Sequence, residues 1–496
     1  MFEHLTETGQ RPTAVVVAVQ FPSVSEAELA SSIAELERLA KTLGLDPVGR
    51  LTQRRGSLAT GLVLGEGKLL ELAEWTGGTG VVPAYAKPGR RKASDEDADE
   101  GGDEDSDGED AGDEDAGDDT GTDGSEADAD ADAGPASATA KAKPPDAPKP
   151  TPRAQVVLVD HDLTPTQQRN LERATGVDVL DRTSVILEIF HRHARTREAR
   201  LQVEIARLKY LAPRLREGGG GGDRVRGGIG GKGAGETSLE LDRRRIRDRI
   251  AELRHELAQI EGGSRTRRER RSDLPTVALV GYTNAGKSSL MRALTSTDVY
   301  VADKLFATLD TTVRRLQPPT EPPILITDTV GFIKKLPHDL VASFRSTLDE
   351  AGDADLLLHV VDASDAAHAD QIAVTREVLR EIGADAVPTW IVLNKIDRVD
   401  PETRELLADR YPTALQLSAK DRHDVVTLRD RLIEQFAGKL EDAELDVPYT
   451  AQRLVHQIHE RATVLAEQHH DTGTRLTIRA PSRVLSELRA ALKPAS

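Results

Sequence analysis

Residues 276–290 read TVALVGYTNAGKSSL, and this stretch decides the fold. TVALV is a short run of branched and small apolar residues, suited to a strand buried on both faces. It runs directly into GYTNAGKS, residues 281–288, which is the GxxxxGK(S/T) pattern of a phosphate-binding loop. Such a loop closes backbone N–H groups around phosphate oxygens at a helix N-terminus, where the aligned peptide dipoles favour anions. Gly281, Tyr282, Thr283, Asn284, Ala285 and Gly286 supply that backbone. Lys287 is placed to reach the β and γ phosphates, and the Ser288 hydroxyl to bind Mg2+. A strand before the loop and a helix, SSLMRAL, after it are the context the motif requires, so an α/β domain is predicted here.

A phosphate loop does not choose its base. Four further pieces, in order, do. FATLD brings Phe306, Ala307, Thr308, Leu309 and Asp310 to the site, with Thr308 20 residues past Ser288 as a second hydroxyl for Mg2+. Thr311 and Thr312 are rivals for that role. ILITDTVGF ends a strand with Asp328, suited to hold a water on Mg2+, and continues through Thr329 and Val330 to Gly331, whose amide can meet a γ-phosphate. IVLNKID ends another strand with Asn394, Lys395, Ile396 and Asp397. A carboxylate there accepts from guanine N1 and the exocyclic amine, donors that adenine does not present. LQLSAK offers the backbone amides of Ser418, Ala419 and Lys420 to the guanine carbonyl. GTP or GDP is thus the expected ligand, with Lys287, Thr308 and Gly331 the candidate catalytic groups. Phe332 follows Gly331, where many nucleotide hydrolases place a glutamine to orient the attacking water, and an apolar ring cannot do that.

The chain has 496 residues, too many for one ordinary core, so roughly two to four domains are expected. No apolar run approaches the roughly 18 residues a membrane helix needs, and no basic segment leads an apolar core at the N-terminus. Cysteine is absent, which excludes disulfides, thiolate metal sites and cysteine nucleophiles. A cytoplasmic monomer is expected. The net charge of −18 misleads, because residues 94–132 hold 21 Asp and Glu and no Lys or Arg, and without them the remainder carries +3. A nucleic-acid partner is therefore compatible with the folded part. This acidic stretch and the six prolines that follow between Pro135 and Pro152 read as a disordered insertion over residues 93–153.

The flanks of the insertion read as one α/β domain, residues 1–92 and 154–196. Strands are expected at AVVVAVQF, ATGLVL and QVVLVD. Helices are expected over residues 26–43, after Gly65, over residues 164–174, and from Arg182. Gly65-Glu66-Gly67-Lys68 lacks the spacing and hydroxyl of a phosphate loop and reads as a turn into a helix. Residues 197–272 read as an antiparallel helical hairpin. Leu201, Ile205, Leu208, Leu211 and Leu215 share one face. Ile246, Ile250, Leu253, Leu257 and Ile260 share another, at coiled-coil spacing. Residues 218–235, with 11 glycines, form its tip. Arg243, Arg244, Arg245, Arg247 and Arg249, then Arg265, Arg267, Arg268, Arg270 and Arg271, make the second helix dense in guanidinium groups, as a solvated face or as contacts to RNA phosphates. A nucleotide domain over residues 273–440 and a small α/β domain over 441–496 complete the chain. His469-His470-Asp471 reads as polar side chains on the surface rather than a metal site.

The chain resembles the HflX family of translation-associated GTPases. The resemblance rests on GYTNAGKSSL, KLFATLD, DTVGFI, NKID and SAK. It extends to DRTSVILEIFHRHARTREARLQVEIARLKYLAPRL and GGIGGKGAGETSLELDRRRI outside the nucleotide domain. Where the family pattern usually has Arg-Gly-Pro-Gly-Glu, this chain has Lys232-Gly233-Ala234-Gly235-Glu236, which keeps the charge and loses a proline. The resemblance implies a P-loop GTPase domain behind a small α/β domain and a helical hairpin. It also implies Mg2+-dependent hydrolysis, binding to the large ribosomal subunit, and splitting or rescue of stalled ribosomes. Two other readings stand beside it. One is a switch that binds a protein effector; the other is an RNA-remodelling NTPase, against which Asp397 and the lack of a second complete phosphate loop argue.

Overall fold

The computed structural model describes residues 11–58, 61–82, 153–215, 238–271, 274–296, 305–306, 312–334, 345–438 and 440–492. The acidic stretch, the glycine-rich tip, and the site candidates Ala307, Thr308, Leu309, Asp310 and Thr311 lie outside the described residues. Among the described residues the strands form three sheets, and no helix is long and apolar enough to cross a membrane.

The first sheet is built from β1 (Thr13–Gln20), α1 (Glu26–Leu43), β2 (Asp46–Arg54), α2 (Glu66–Thr76), β3 (Val156–Val159), α3 (Pro165–Thr175), β4 (Asp178–Asp181) and α4 (Arg182–His193). Its order is β2-β1-β3-β4, all parallel. Successive residues of β1 point to opposite faces. Val16 and Ala18 therefore meet Leu36, Leu39, Ala40 and Leu43 of α1 with Ile186 and Phe190 of α4. Val15, Val17 and Val19 meet Leu69 and Leu72 of α2 and Leu171 of α3. Ser25 and Glu28 form a reciprocal capping box at the start of α1, and Gly44 ends it at φ +90°. Gly65 caps α2, as the turn reading required. Of the strand expected at ATGLVL, the described residues 61–64 form none. Residues 61–64 are irregular, and Val63 and Leu64 are buried against the sheet as a loop, so their apolarity reflects packing rather than pairing. The strand lies earlier, at β2, whose half-exposed edge position hides it from a hydrophobic pattern. The Arg153 carbonyl accepts from Thr13 Oγ1 at 2.6 Å, so residue 153 already packs with β1.

Two helices follow, α5 (Arg197–Leu211) and α6 (Ser238–Arg271). Leu201 and Ile205 pack on Leu253, with Leu208, Ile250, Leu257 and Ile260 along the same seam. On its other side α5 sends Ala199, Val203 and Ala206 into the core shared with α1 and α4.

The largest sheet contains β5 (Thr276–Val280), α7 (Lys287–Thr295), β6 (Thr312–Arg315), β7 (Leu325–Asp328), α8 (Arg345–Gly352), β8 (Leu356–Asp362), α9 (His368–Glu381), β9 (Thr389–Asn394), α10 (Pro401–Arg410), β10 (Leu415–Gln416) and α11 (Arg422–Ala437). The order is β10-β9-β8-β5-β7-β6, parallel except for β6. Val277 and Leu279 of β5 pack toward α7 and α11, and Ala278 and Val280 toward α8 and α9. β5 is thus internal, and its carboxyl end opens into the phosphate loop at the crevice where such sheets bind ligands.

The last sheet is antiparallel, β11 (Leu440–Pro448), β13 (Gly473–Pro481) and β12 (Thr463–His470) in that order. Alternate residues Ala443, Leu445, Val447, Leu476, Ile478 and Ala480 form its inner face. Over them lie Ile458 of α12 (Gln452–Arg461) and Val484, Leu485 and Leu488 of α13 (Ser482–Leu492). His469 is exposed with Nδ1 3.2 Å from Thr474 Oγ1, and no metal-type carboxylate–histidine cluster occurs among the described residues.

Candidate active site

The site grows from the carboxyl end of β5. Gly286 closes the loop at φ +99°, where a Cβ would sit 2.2 Å from Asn394 Nδ2, so both the conformation and the space require glycine. Lys287 follows as the first residue of α7, and its buried ammonium donates to the carbonyls of Gly281 at 3.0 Å and Tyr282 at 2.9 Å. Burial lowers its pKa to about 8, with the nearby Asp328 carboxylate opposing the fall. Ser288 Oγ donates to Asp328 Oδ2 at 2.7 Å, which joins a hydroxyl and a carboxylate oxygen beside the loop. Hard oxygen donors of this kind suit Mg2+.

The strand that ends in Asp328 continues across the loop. Thr329 Oγ1 donates to the Leu279 carbonyl at 2.8 Å. The Phe332 N–H donates to Gly281 O at 3.1 Å, and Thr283 N–H donates to Phe332 O at 2.8 Å. A Cβ on Gly331 would lie 2.9 Å from Thr283 Cα and 3.0 Å from Lys287 Nζ, so its backbone rides directly over the loop and the ammonium. Thr283 Oγ1 is buried without a hydrogen-bond partner among the described residues. The Phe332 side chain is 1% exposed and clusters with Ala278, Val280, Leu348 and Ala351, in the core rather than toward an attacking water.

The base side is tied to the phosphate side by Asn394. Its Nδ2 donates to Ala285 O at 2.8 Å and its Oδ1 accepts from Ala419 N–H at 3.0 Å. Lys395, at φ +60°, donates to Asn284 O at 2.7 Å and to Asp362 Oδ2 at 2.7 Å. Ile396 is buried beneath them. Asp397 faces solvent and accepts from Ser418 Oγ at 2.7 Å; that hydroxyl holds its carboxyl below the usual range, so it stays ionised. Ser418 N–H is held by Asp424 Oδ2 at 2.8 Å, and Lys420 N–H by Ser418 Oγ at 3.3 Å.

The described candidates other than Phe306 thus come to one crevice: residues 281–288, Asp328 through Gly331, Asn394 through Asp397, and Ser418 through Lys420; Phe306 instead packs into the core of the N-terminal sheet's helices. Phe306 is buried at φ +56° and meets Phe190 edge-on, with ring centroids 4.6 Å apart. Thr312 begins β6, paired with Asp328 across the strands. Two residues went unread in the sequence. Asp362 holds Lys395, and its place at the end of HVVD was the available signal. Glu35 lies in the buried stripe of α1 and accepts from the Tyr282 hydroxyl; a carboxylate among the apolar positions of a helix was its signal.

Family profiles described as "GTP-binding GTPase N-terminal", "GTP-binding GTPase Middle Region" and "50S ribosome-binding GTPase" match residues 30–82 with 147–191, 193–271 and 276–395. The GTPase HflX of Gluconacetobacter diazotrophicus is 53% identical over 483 residues, 97% of this chain and 98% of that one. The GTPases HflX of Caldanaerobacter subterraneus and Escherichia coli K12 are each 43% identical, over 68% and 66% of this chain and 78% of their own lengths. A GTP-binding protein of Sulfolobus solfataricus, solved with GDP, aligns over 85% of this chain and 98% of its own at 22% identity and a TM-score of 0.38.

Proposed function

The chain belongs to the HflX family of GTPases, and from that footing we propose that it docks on the large ribosomal subunit, hydrolyses GTP there, and so splits or rescues stalled ribosomes. That it binds and hydrolyses GTP follows from the family itself. The ribosomal reading is carried by the match of residues 276–395 to a profile described as a 50S ribosome-binding GTPase. It is supported by the exposed Arg243, Arg244 and Arg247 of α6, a guanidinium face suited to RNA phosphates. In this reading residues 1–92 and 154–196 form the N-terminal domain. The α5–α6 arm, residues 197–272, reaches RNA, residues 273–440 hydrolyse GTP, and 441–496 form a separate C-terminal domain in a monomeric, cytoplasmic protein.

The roles divide by position. Backbone amides of the loop toward its end at Ser288 wrap the phosphates, and Lys287 neutralises the β and γ oxygens. Ser288 and Thr308, with Asp328 acting through a water, would hold Mg2+, which would supply further positive charge to the phosphates. Gly331 offers its amide to the γ-phosphate. Asp397 selects guanine, the Ser418–Lys420 segment lies along its carbonyl edge, and Asn394, which holds the Ala419 N–H, locks the two halves together. With Phe332 in the core, no side chain at that position orders the water, so a docked partner completes the site. Sedimentation with ribosomes through sucrose tests the docking. Co-migration with large subunits under a non-hydrolysable GTP analogue, and loss under GDP, is expected; equal sedimentation away from subunits under both nucleotides refutes it.

A further inference from the structure

Tyr282 sits in the phosphate loop, yet its side chain leaves the nucleotide crevice. It is 5% exposed, in one core cluster with Leu36, Val185, Ile189 and Phe190 of the N-terminal sheet's helices. Its hydroxyl accepts the Lys334 N–H at 2.7 Å and donates to Glu35 Oε1 on α1. Glu35 Oε2 accepts from Arg182 at the start of α4. Arg182, 1% exposed, also donates to Asp160 Oδ1 at 2.6 Å, and Asp160 Oδ2 accepts from Ser32 Oγ at 2.6 Å. The result is an unbroken hydrogen-bonded chain from the half-buried Lys334 through the buried Tyr282, Glu35 and Arg182 to Asp160 at the carboxyl end of β3.

Each link resists replacement. The two oxygens of Glu35 face two donors, so a carboxylate is needed and an amide would set a donor against one of them. A buried guanidinium that loses a partner keeps its desolvation cost without compensation. Burial beside Glu35 pushes the Tyr282 phenol up, so it stays a donor. The far end of the chain is mechanically placed. Lys334 lies three residues past Gly331, whose backbone rides over Lys287 where a γ-phosphate oxygen would approach. Phe332 and Thr283 pair between them. A shift of Gly331 toward phosphate therefore acts on the Lys334 N–H through one short extended segment. Val330 and Ile333 pack into the same N-terminal core, and Leu305 N–H reaches Thr42 Oγ1 at 3.3 Å, so two segments flanking the phosphate site rest on α1 and α4.

We propose that Tyr282 is a positioning residue that links occupancy of the γ-phosphate site to the seating of Glu35 and Arg182. On this account the Gly331–Lys334 peptide and the first turn of α4 move in one equilibrium. The coupling requires bound nucleotide alone and so stands apart from any ribosomal role. By linkage, whatever the γ-phosphate does to Lys334 must appear at α4, and the reverse.

Hydrogen exchange on the full chain, with GDP and with a non-hydrolysable GTP analogue, tests it. In the wild type the amides of residues 182–190 and of Lys334 exchange at rates that differ about tenfold between the two nucleotides, within the usual range of such couplings. In Tyr282→Phe, which keeps the ring and loses the hydroxyl, the difference at residues 182–190 falls to about unity. Glu35→Gln, which lies outside the nucleotide machinery, gives the same collapse and covers the case of a poorly folded Tyr282 variant. A purely structural role would raise exchange equally under both nucleotides and leave their ratio intact. A ratio near unity in the wild type, or an undiminished ratio in the variants, overturns the proposal.

Discussion

Replacing Asp397 with Asn should exchange the base specificity of the site. The carboxylate offers two acceptor edges, and Ser418 Oγ holds Oδ1 at 2.7 Å, which fixes the rotamer. If Asn keeps its carbonyl on Ser418, its NH2 takes the place of Oδ2. One edge then faces the guanine exocyclic amine donor to donor. Xanthine presents a carbonyl at that position and is accepted. Sites that recognise a ligand by hydrogen bonds reject mismatches by about 10⁴ to 10⁵. The lower end applies, because Asp397 faces solvent before the ligand arrives, so roughly 10⁴ is expected, equivalent to about 5.5 kcal/mol. Displacement of a fluorescent guanine nucleotide by GTP and by xanthosine triphosphate reads the exchange directly. The wild type should strongly prefer GTP and Asp397→Asn the xanthine nucleotide. A variant that folds and still prefers GTP would show that the base lies elsewhere.

Three further outcomes follow from the same geometry. Lys287 falls from its ordinary 10.5 to about 8 through burial, so between those values the unfolded chain binds more protons than the folded one, and this group's contribution to stability rises with pH across that window. Phosphate restores the charge, so GDP binding should take up a proton and weaken from about pH 8 upward, measurable by calorimetry in buffers of different ionisation enthalpy; affinity flat to about pH 10 contradicts it. Changing Arg243, Arg244 and Arg247 to Glu should weaken ribosome binding and flatten its dependence on salt while leaving GDP affinity unchanged, and an unaltered salt slope returns these arginines to a solvated face. Phe332→Ala empties a core position and should cost about 3–5 kcal/mol in urea unfolding, whereas a loss below about 1 kcal/mol is incompatible with its place among Ala278, Val280 and Leu348.

What the sequence made legible was local. The phosphate loop, NKID and SAK each declare themselves over a few residues, because glycine, lysine and carboxylate at fixed spacing answer to phosphate and guanine directly. The same holds for α1 and α3, whose capping boxes at Ser25 and Thr164 mark their starts. The short β4 and the half-exposed β2 gave no alternation to read, and Val63 and Leu64 mimicked a strand while packing as a loop. Contacts between distant segments were hidden for a different reason. Tyr282 and Glu35 are 247 positions apart, and nothing in either neighbourhood names the other. The tether of Asn394 to both Ala285 and Ala419 likewise emerges once the strands are side by side.

In the proposed reading the ribosome completes this GTPase site, since Phe332 is turned into the core and no glutamine follows Gly331 to hold the attacking water. Single-turnover hydrolysis of GTP, measured with and without purified large subunits, tests it most directly. Completing such a site accelerates phosphoryl transfer by about 10³ to 10⁵ at the upper end. A slow isolated protein with a rate increase of several orders of magnitude on adding subunits is predicted. Equal rates in the two conditions would contradict ribosome-controlled hydrolysis.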